Sequence, residues 1–410
     1  MKRAIAALGL CIVSGCNRAP EPAVEPAIDP QLARQIAEMK AIDHHAHPVR
    51  PTAPGEAPDT DYDALPVESL APQSDPIRMR ADSAVIVEAH RLFGGKKPDP
   101  VSLLDQLGIE SMFANRVAMG PGLPSPRFFW VPFDDALMYP LSNASLIHNS
   151  DQQAFFEDEE RLLKRYYADL HLAARLPTLE AYLLQVVRPT LERQKSGGAV
   201  AIKFEMAYLR AFDIGNPSRA EAEQVWRAGS SGKALQDYLF RFIATEAGRL
   251  GMPVHFHSGA GSGGYFDVAG ANPMLLEPLF DDPALKKTNF VLVHGGWPFS
   301  QQVTALLTKP NVYVDFSSQT LNHSPQEVAS ILRAWLEYVP EKVFFGTDAY
   351  PYSKEMGFAE SAYIANAAGR EGLGRALTQM MRDQEVSRDR AVELARMVLR
   401  DNARKLYHLP

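Results

Sequence analysis

Cysteine is almost missing from these 410 residues: the only two, Cys11 and Cys16, fall in the first sixteen positions. Everything downstream lacks a thiol for a disulfide or a thiolate site, so a metal would have to rest on His, Asp, Glu or Lys. Basic excess is missing too. A formal net charge of -7 excludes a general nucleic-acid binder. Beyond the N-terminus no apolar run approaches the roughly 20 residues that span a bilayer. No G-x-G-x-x-G follows the first strand-like run, which weighs against a dinucleotide fold. The remaining composition is ordinary for a globular chain long enough for one large domain or two average ones.

What is present begins with a short leader. Met1-Lys2-Arg3 supplies positive charge and residues 4–13 form a mostly apolar run, too short and wrongly flanked for a spanning helix. It ends in Val13-Ser14-Gly15-Cys16, which resembles the bacterial lipobox, where cleavage leaves a lipidated cysteine; an ordinary signal peptide with a chance cysteine is the alternative. The expectation is a signal peptide over residues 1–16 and a proline-rich tether over 17–30. A single domain over 31–410 would then be held to the membrane only by lipid. Asn17 after the cysteine suits export to the outer membrane, placing the domain in the cell envelope facing the periplasm.

Along the body, short apolar runs alternate with helical patterns. Strands are expected at 41–45, 109–115, 199–205, 253–257, 289–294, 312–316 and 343–347, with room for an eighth near the Pro- and Asp-rich excursion at 48–76. The aromatic, proline-rich segment at 120–140 reads as a packed loop or cap. Alternation of this kind means a parallel sheet, and a (β/α)₈ barrel fits best, because barrels place reactive groups at the C-terminal ends of strands.

The chemistry-bearing residues occupy those ends. Asp43-His44-His45-Ala46-His47 puts His45 and His47 two residues apart, on one face of a strand. Val254-His255-Phe256-His257 repeats the pattern, Val293-His294 closes another run, and Gly346-Thr347-Asp348 ends in a carboxylate. Neutral imidazole and carboxylate are ligands for zinc and similar divalent ions. A core histidine is the plain alternative for each alone. Gly295-Gly296 after His294 lets backbone or substrate approach closely.

In this order the Asp43/His45/His47 opening, His257 after Leu250-Gly251-Met252-Pro253, Val293-His294-Gly295-Gly296, Gly346-Thr347-Asp348 and the closing Asp401-Asn402-Ala403-Arg404-Lys405-Leu406-Tyr407 resemble the amidohydrolase superfamily. The match is to its amidohydrolase-related branch of hydrolases and non-oxidative decarboxylases. The resemblance implies a metal-containing barrel in which His45, His47, His257 and Asp348 hold a divalent metal, most often zinc, with His294 facing the same pocket. It favours His257 over His255 as ligand. His44 stands where the family more often has a small or hydroxyl residue and is read as packing or support.

Lys203 ends its strand where some relatives carry a carbamylated lysine bridging two metals and others an unmodified cation. A simple pairing with Glu205 competes. Arg127, Trp130, Arg210, Tyr265 and Trp297 are candidate substrate contacts, and the run Glu157 to Glu160 reads as a solvated helix face. The expectation is a metal-dependent hydrolase acting on an amide, ester or lactone-like bond of a small molecule, with Asp348, His294 and Lys203 catalytic. A decarboxylase on the same barrel, or a lipid-anchored binding protein, are the alternatives.

Overall fold

The computed structural model describes residues 28–52, 55–65, 80–148, 150–172, 175–261, 266–353 and 356–409. The leader, the tether up to residue 27 and Tyr265 lie outside the described residues.

Eight parallel strands organise the chain: β1 Ala41–Ala46, β2 Ile109–Asn115, β3 Phe128–Val131, β4 Ile202–Phe204, β5 Val254–His257, β6 Phe290–Val293, β7 Val312–Asp315 and β8 Val343–Phe344. They pair in the orders β1-β2-β3 and β4-β5-β6-β7-β8. Both gaps are bridged. Val200 N donates to Trp130 O (3.0 Å) and Lys203 N to Pro132 O (2.8 Å), joining β3 to β4. His44 N donates to Phe345 O (2.9 Å) and His47 N to Ala349 O (2.8 Å), joining β8 back to β1. The strands therefore form one ring, the expected (β/α)₈ barrel.

The eighth strand of the ring does not come from the described part of the early excursion. It is β3, inside the segment expected to be a loop or cap. Pro124, Pro126 and Pro132 crowd a four-residue run whose four side chains are all apolar or aromatic, so no alternation marks it.

Side-chain alternation sorts the rest. Ile42, Phe113, Val131, Val291, Val293 and Phe344, from five strands, and Ala201, just before β4, share one buried cluster with Ala403 and Tyr407. Only the lumen of a ring can gather residues from so many strands, and the helix Asn402–Tyr407 plugs it. Ile202, Phe204, Val254, Phe256, Phe290, Leu292, Val312 and Val314 pack outward in the larger core shared with helices such as Lys233–Leu250 and Pro325–Leu336. Burying each such side chain contributes roughly 1.5–3 kcal/mol.

Local signals set the elements. Asp99 caps the helix Pro100–Leu107 by accepting from Ser102 N, and Gly108, at φ 67°, ends it one residue before β2. Asp29 caps Pro30–Glu38 and is bound by Arg388, tying the start of the described chain to its last helices. No helix among the described residues is long and apolar enough to cross a membrane.

Candidate metal centre

The C-terminal ends of β1, β5, β6 and β8 bring His45, His47, His257, His294 and Asp348 together. His45 Nε2 lies 3.3 Å and His47 Nε2 3.6 Å from Asp348 Oδ1, while His294 Nδ1 is 3.8 Å from Asp348 Oδ2. The His45 and His47 rings are 5.1 Å apart, those of His45 and His294 5.0 Å, and His257 Nδ1 is 3.0 Å from His294 Nε2. All are buried. Burial holds His45, His257 and His294 well below the ordinary imidazole pKa, so they are neutral with lone pairs to give. Burial also pushes the Asp348 carboxyl up, but His294, His47 and Lys203 outweigh it and hold it at about 2.

The hydrogen bonds assign which nitrogens those lone pairs sit on. Ser317 Oγ donates to Asp315 Oδ1 (2.6 Å) and so accepts from His294 Nδ1–H (2.9 Å). His294 Nε2 then accepts from His257 Nδ1–H, leaving the His257 Nε2 lone pair free, and that atom has no partner. His47 Nδ1–H donates to Tyr62 O (2.9 Å), leaving Nε2 free beside Asp348. Neither nitrogen of His45 makes a hydrogen bond. Three buried histidines thus present unengaged nitrogens near an ionised carboxylate. Buried polar atoms are rarely left unpaired, and this donor set fits a divalent cation. The tightest cluster of potential ligand atoms, within 4.8 Å, is His45, His294 and Asp348. Both nitrogens of His294 are already engaged, however, so the hydrogen-bond accounting favours His47 and His257 over His294 as donors.

Supporting groups hold this geometry. Asp43 accepts from Thr347 N (2.9 Å) and Thr347 Oγ1 (2.6 Å), pinning the residue before Asp348 to β1; burial pushes its carboxyl up to about 7. Asp315 accepts from the backbone N–H groups of His294 (2.9 Å) and Ser317 (3.0 Å). His294 at φ 68° and Asp348 at φ 56° occupy the left-handed region that ordinary residues avoid, a conformation sustained only by surroundings this fully bonded.

Gly295 also has positive φ, and a Cβ there would meet Gln319 Nε2 and a Trp335 ring carbon at 2.5 Å. The glycine therefore makes room for protein side chains rather than for substrate.

Sequence reasoning placed His44 away from its neighbours by strand alternation. The structure agrees: His44 packs in the lumen against Phe113, Phe344 and His255 and bonds Asp315, the role of packing and support expected of it. Lys203 is fully buried on β4, its Nζ without a hydrogen-bond partner and 3.6 Å from Glu205 Oε1. Arg127 binds Asp105 and the carbonyl oxygens of Ile109 and Glu110 near the start of β2, the barrel end away from the site. Trp130 donates to Arg116 O, Arg210 pairs with Asp237, and Trp297 is partly exposed beside His323. Glu159 is not on a solvated face: it is buried with both oxygens unpartnered.

Several residues escaped the sequence reading. Asp315 and Ser317 lack spacing motifs, Tyr407 entered only as the end of the closing motif with no role of its own, and Tyr62 and Asp63 sit in the early excursion. Tyr208, whose ring packs 4.6 Å from that of His257, is in a short turn after β4.

Comparison with known proteins agrees with this geometry. The family model described as Amidohydrolase matches residues 197–409, and the chain belongs to that family. A curated relative, protein fluG of Emericella nidulans, is 27% identical over 184 residues, which cover 43% of this chain. The chain spans only 20% of that relative's length. Among solved structures, a Lactobacillus casei protein assigned as a metal-dependent hydrolase superposes with a TM-score of 0.64 at 17% identity, over 93% of this chain and 98% of the other. Glucuronate isomerase of Caulobacter crescentus gives 0.60 at 14% identity, over 92% and 93%. At these identities the likeness establishes the fold.

Proposed function

We propose that the chain is a metal-dependent hydrolase that uses water to cleave an amide, ester or lactone-like bond of a small molecule. The observation that carries this reading is Asp348 Oδ1 lying 3.3 Å from His45 Nε2 and 3.6 Å from His47 Nε2, with both His45 nitrogens and His257 Nε2 left without a hydrogen-bond partner. Those residues would hold one divalent ion, of which zinc suits the donor set best. Such an ion supplies Lewis acidity and acidifies bound water.

The side chains do the rest. Asp348 Oδ1 faces the histidine pair while Oδ2 is on the His294 side. Asp348 takes a proton from the attacking water and passes it on to the leaving group. His294, locked by Ser317 and His257, orients His257. Lys203 Nζ, buried 3.6 Å from Glu205 Oε1 and without a hydrogen-bond partner among the described residues, donates to a substrate oxygen on which negative charge develops. The fold relative assigned as a metal-dependent hydrolase supports the same reading.

Asp348→Asn should keep the fold and lower turnover by about 10²-fold or more. In ¹⁸O-labelled water the product should gain the label. Release of carbon dioxide without label would replace this reading with decarboxylation. We further propose that the leader delivers the enzyme to the cell envelope, anchored through Cys16.

A further inference from the structure

Beneath the metal centre lies a hydrogen-bonded group that the proposed chemistry does not use. Tyr407, the last residue of the plugging helix, places its hydroxyl 2.6 Å from His44 Nε2 and 2.6 Å from His255 Nε2. A phenol has one proton, so it donates to one imidazole and accepts from the other. Asp315 Oδ2 accepts from His44 Nδ1–H at 2.9 Å. The Tyr407 oxygen therefore bridges His44 Nε2 and His255 Nε2, donating to one and accepting from the other. Asp315 is the junction: its other oxygen accepts from Ser317 Oγ and from His294 N–H. One path therefore runs from Tyr407 through His44, Asp315 and Ser317 to His294 and on to His257.

From this geometry we propose that Tyr407 is a positioning residue for the metal centre, locking the His44–Asp315 pair that orients His294 and His257. The proposal rests on the metal-centre reading above. Packing alone would keep the ring and be indifferent to the hydroxyl; here the hydroxyl is the only partner of two buried nitrogens. Removing it strands both, at a point adjacent to the ligand His45 in β1.

The test is Tyr407→Phe, which keeps the ring, compared with the wild type for zinc affinity and for the visible spectrum of the cobalt-loaded protein. Loss of a direct outer partner of a metal ligand costs about 10- to 100-fold in affinity, and Tyr407, acting through His44, Asp315 and Ser317, falls at or below the lower end of that range. The variant should weaken zinc binding by about tenfold and alter the cobalt bands. A folded variant with wild-type affinity and an unchanged spectrum would overturn the proposal while leaving the metal centre intact, whereas a wild type that takes up no metal would remove both. Nitrogen-15 NMR of the histidines in the metal-free wild type needs no variant. It should show His44 protonated at Nδ1 and only one of the two Nε2 atoms facing Tyr407 protonated, and a spectrum with both or neither protonated would contradict the shared hydroxyl.

Discussion

At the scale of single residues, what decides function here is which nitrogen carries the proton. His47, His257 and His294 are alike in sequence, each ending an apolar run, yet a carbonyl, a neighbouring imidazole and a serine hydroxyl give them different duties. The residue types and their spacing were legible in the sequence; the duties were not, because Tyr62, Ser317 and Asp315 reach the site from other parts of the chain. Asp134 offers a separate test of how burial sets protonation. It is buried, accepts from Gln194 Nε2, and is pushed up to about 8, chiefly by desolvation. A folded-state pKa raised above the ordinary carboxyl value of 3.8 means the native state holds a proton that the unfolded state gives up. Its contribution is complete below about pH 3.8 and is lost as pH rises towards about 8. Asp134→Asn should therefore gain stability relative to the wild type as pH climbs from 4 to 8, then level off. Thermal melts across that range check it, and a pH-independent difference would show that Asp134 ionises normally.

At the scale of elements, the sequence located seven of the strands because each has an apolar run long enough to show against its flanks. It missed β3, where prolines and aromatics hide four residues that only their neighbours β2 and β4 define as a strand. The early excursion was equally opaque. Arg116, after β2, is buried and forms a two-pronged pair with Asp59 (2.9 and 2.8 Å) while donating to Pro48 O and Ala118 O. That staple sets the loop carrying Tyr62 against His47. Arg116→Met should cost about 3–5 kcal/mol by leaving a buried carboxylate unpaired, and should weaken metal binding through His47. Denaturant unfolding and zinc titration measure the two effects; a loss of stability with unchanged affinity would separate the staple from the site. Gly295→Ala should cost about 1–3 kcal/mol, from positive φ and from overlap with Gln319 and Trp335. A melting temperature equal to the wild type would contradict that packing.

At the scale of the whole molecule, the barrel explains why residues spread from Asp43 to Asp348 meet. They are delivered by the ends of four strands, β1, β5, β6 and β8, and a ring brings those ends onto one face. The alternation of runs and helices made this legible in advance, and the plug by the C-terminal helix gives the closing Asn402–Tyr407 stretch a physical role. Asn402 Nδ2 donates to Pro340 O (2.7 Å) and Val343 O (2.9 Å), pinning the plug to β8. If Cys16 carries the proposed anchor, Cys16→Ala in the full chain should move the protein from the membrane to the soluble fraction; unchanged membrane association would refute lipidation at that residue.

The most direct test of the central claim is metal content by elemental mass spectrometry. It compares protein purified without chelators with a His45→Ala/His47→Ala variant. About one zinc or similar ion per chain, lost in the folded variant, is the expected result. About two would make Lys203 a bridging ligand. A folded wild type that carries no metal and takes none up on titration would contradict the metal-dependent mechanism.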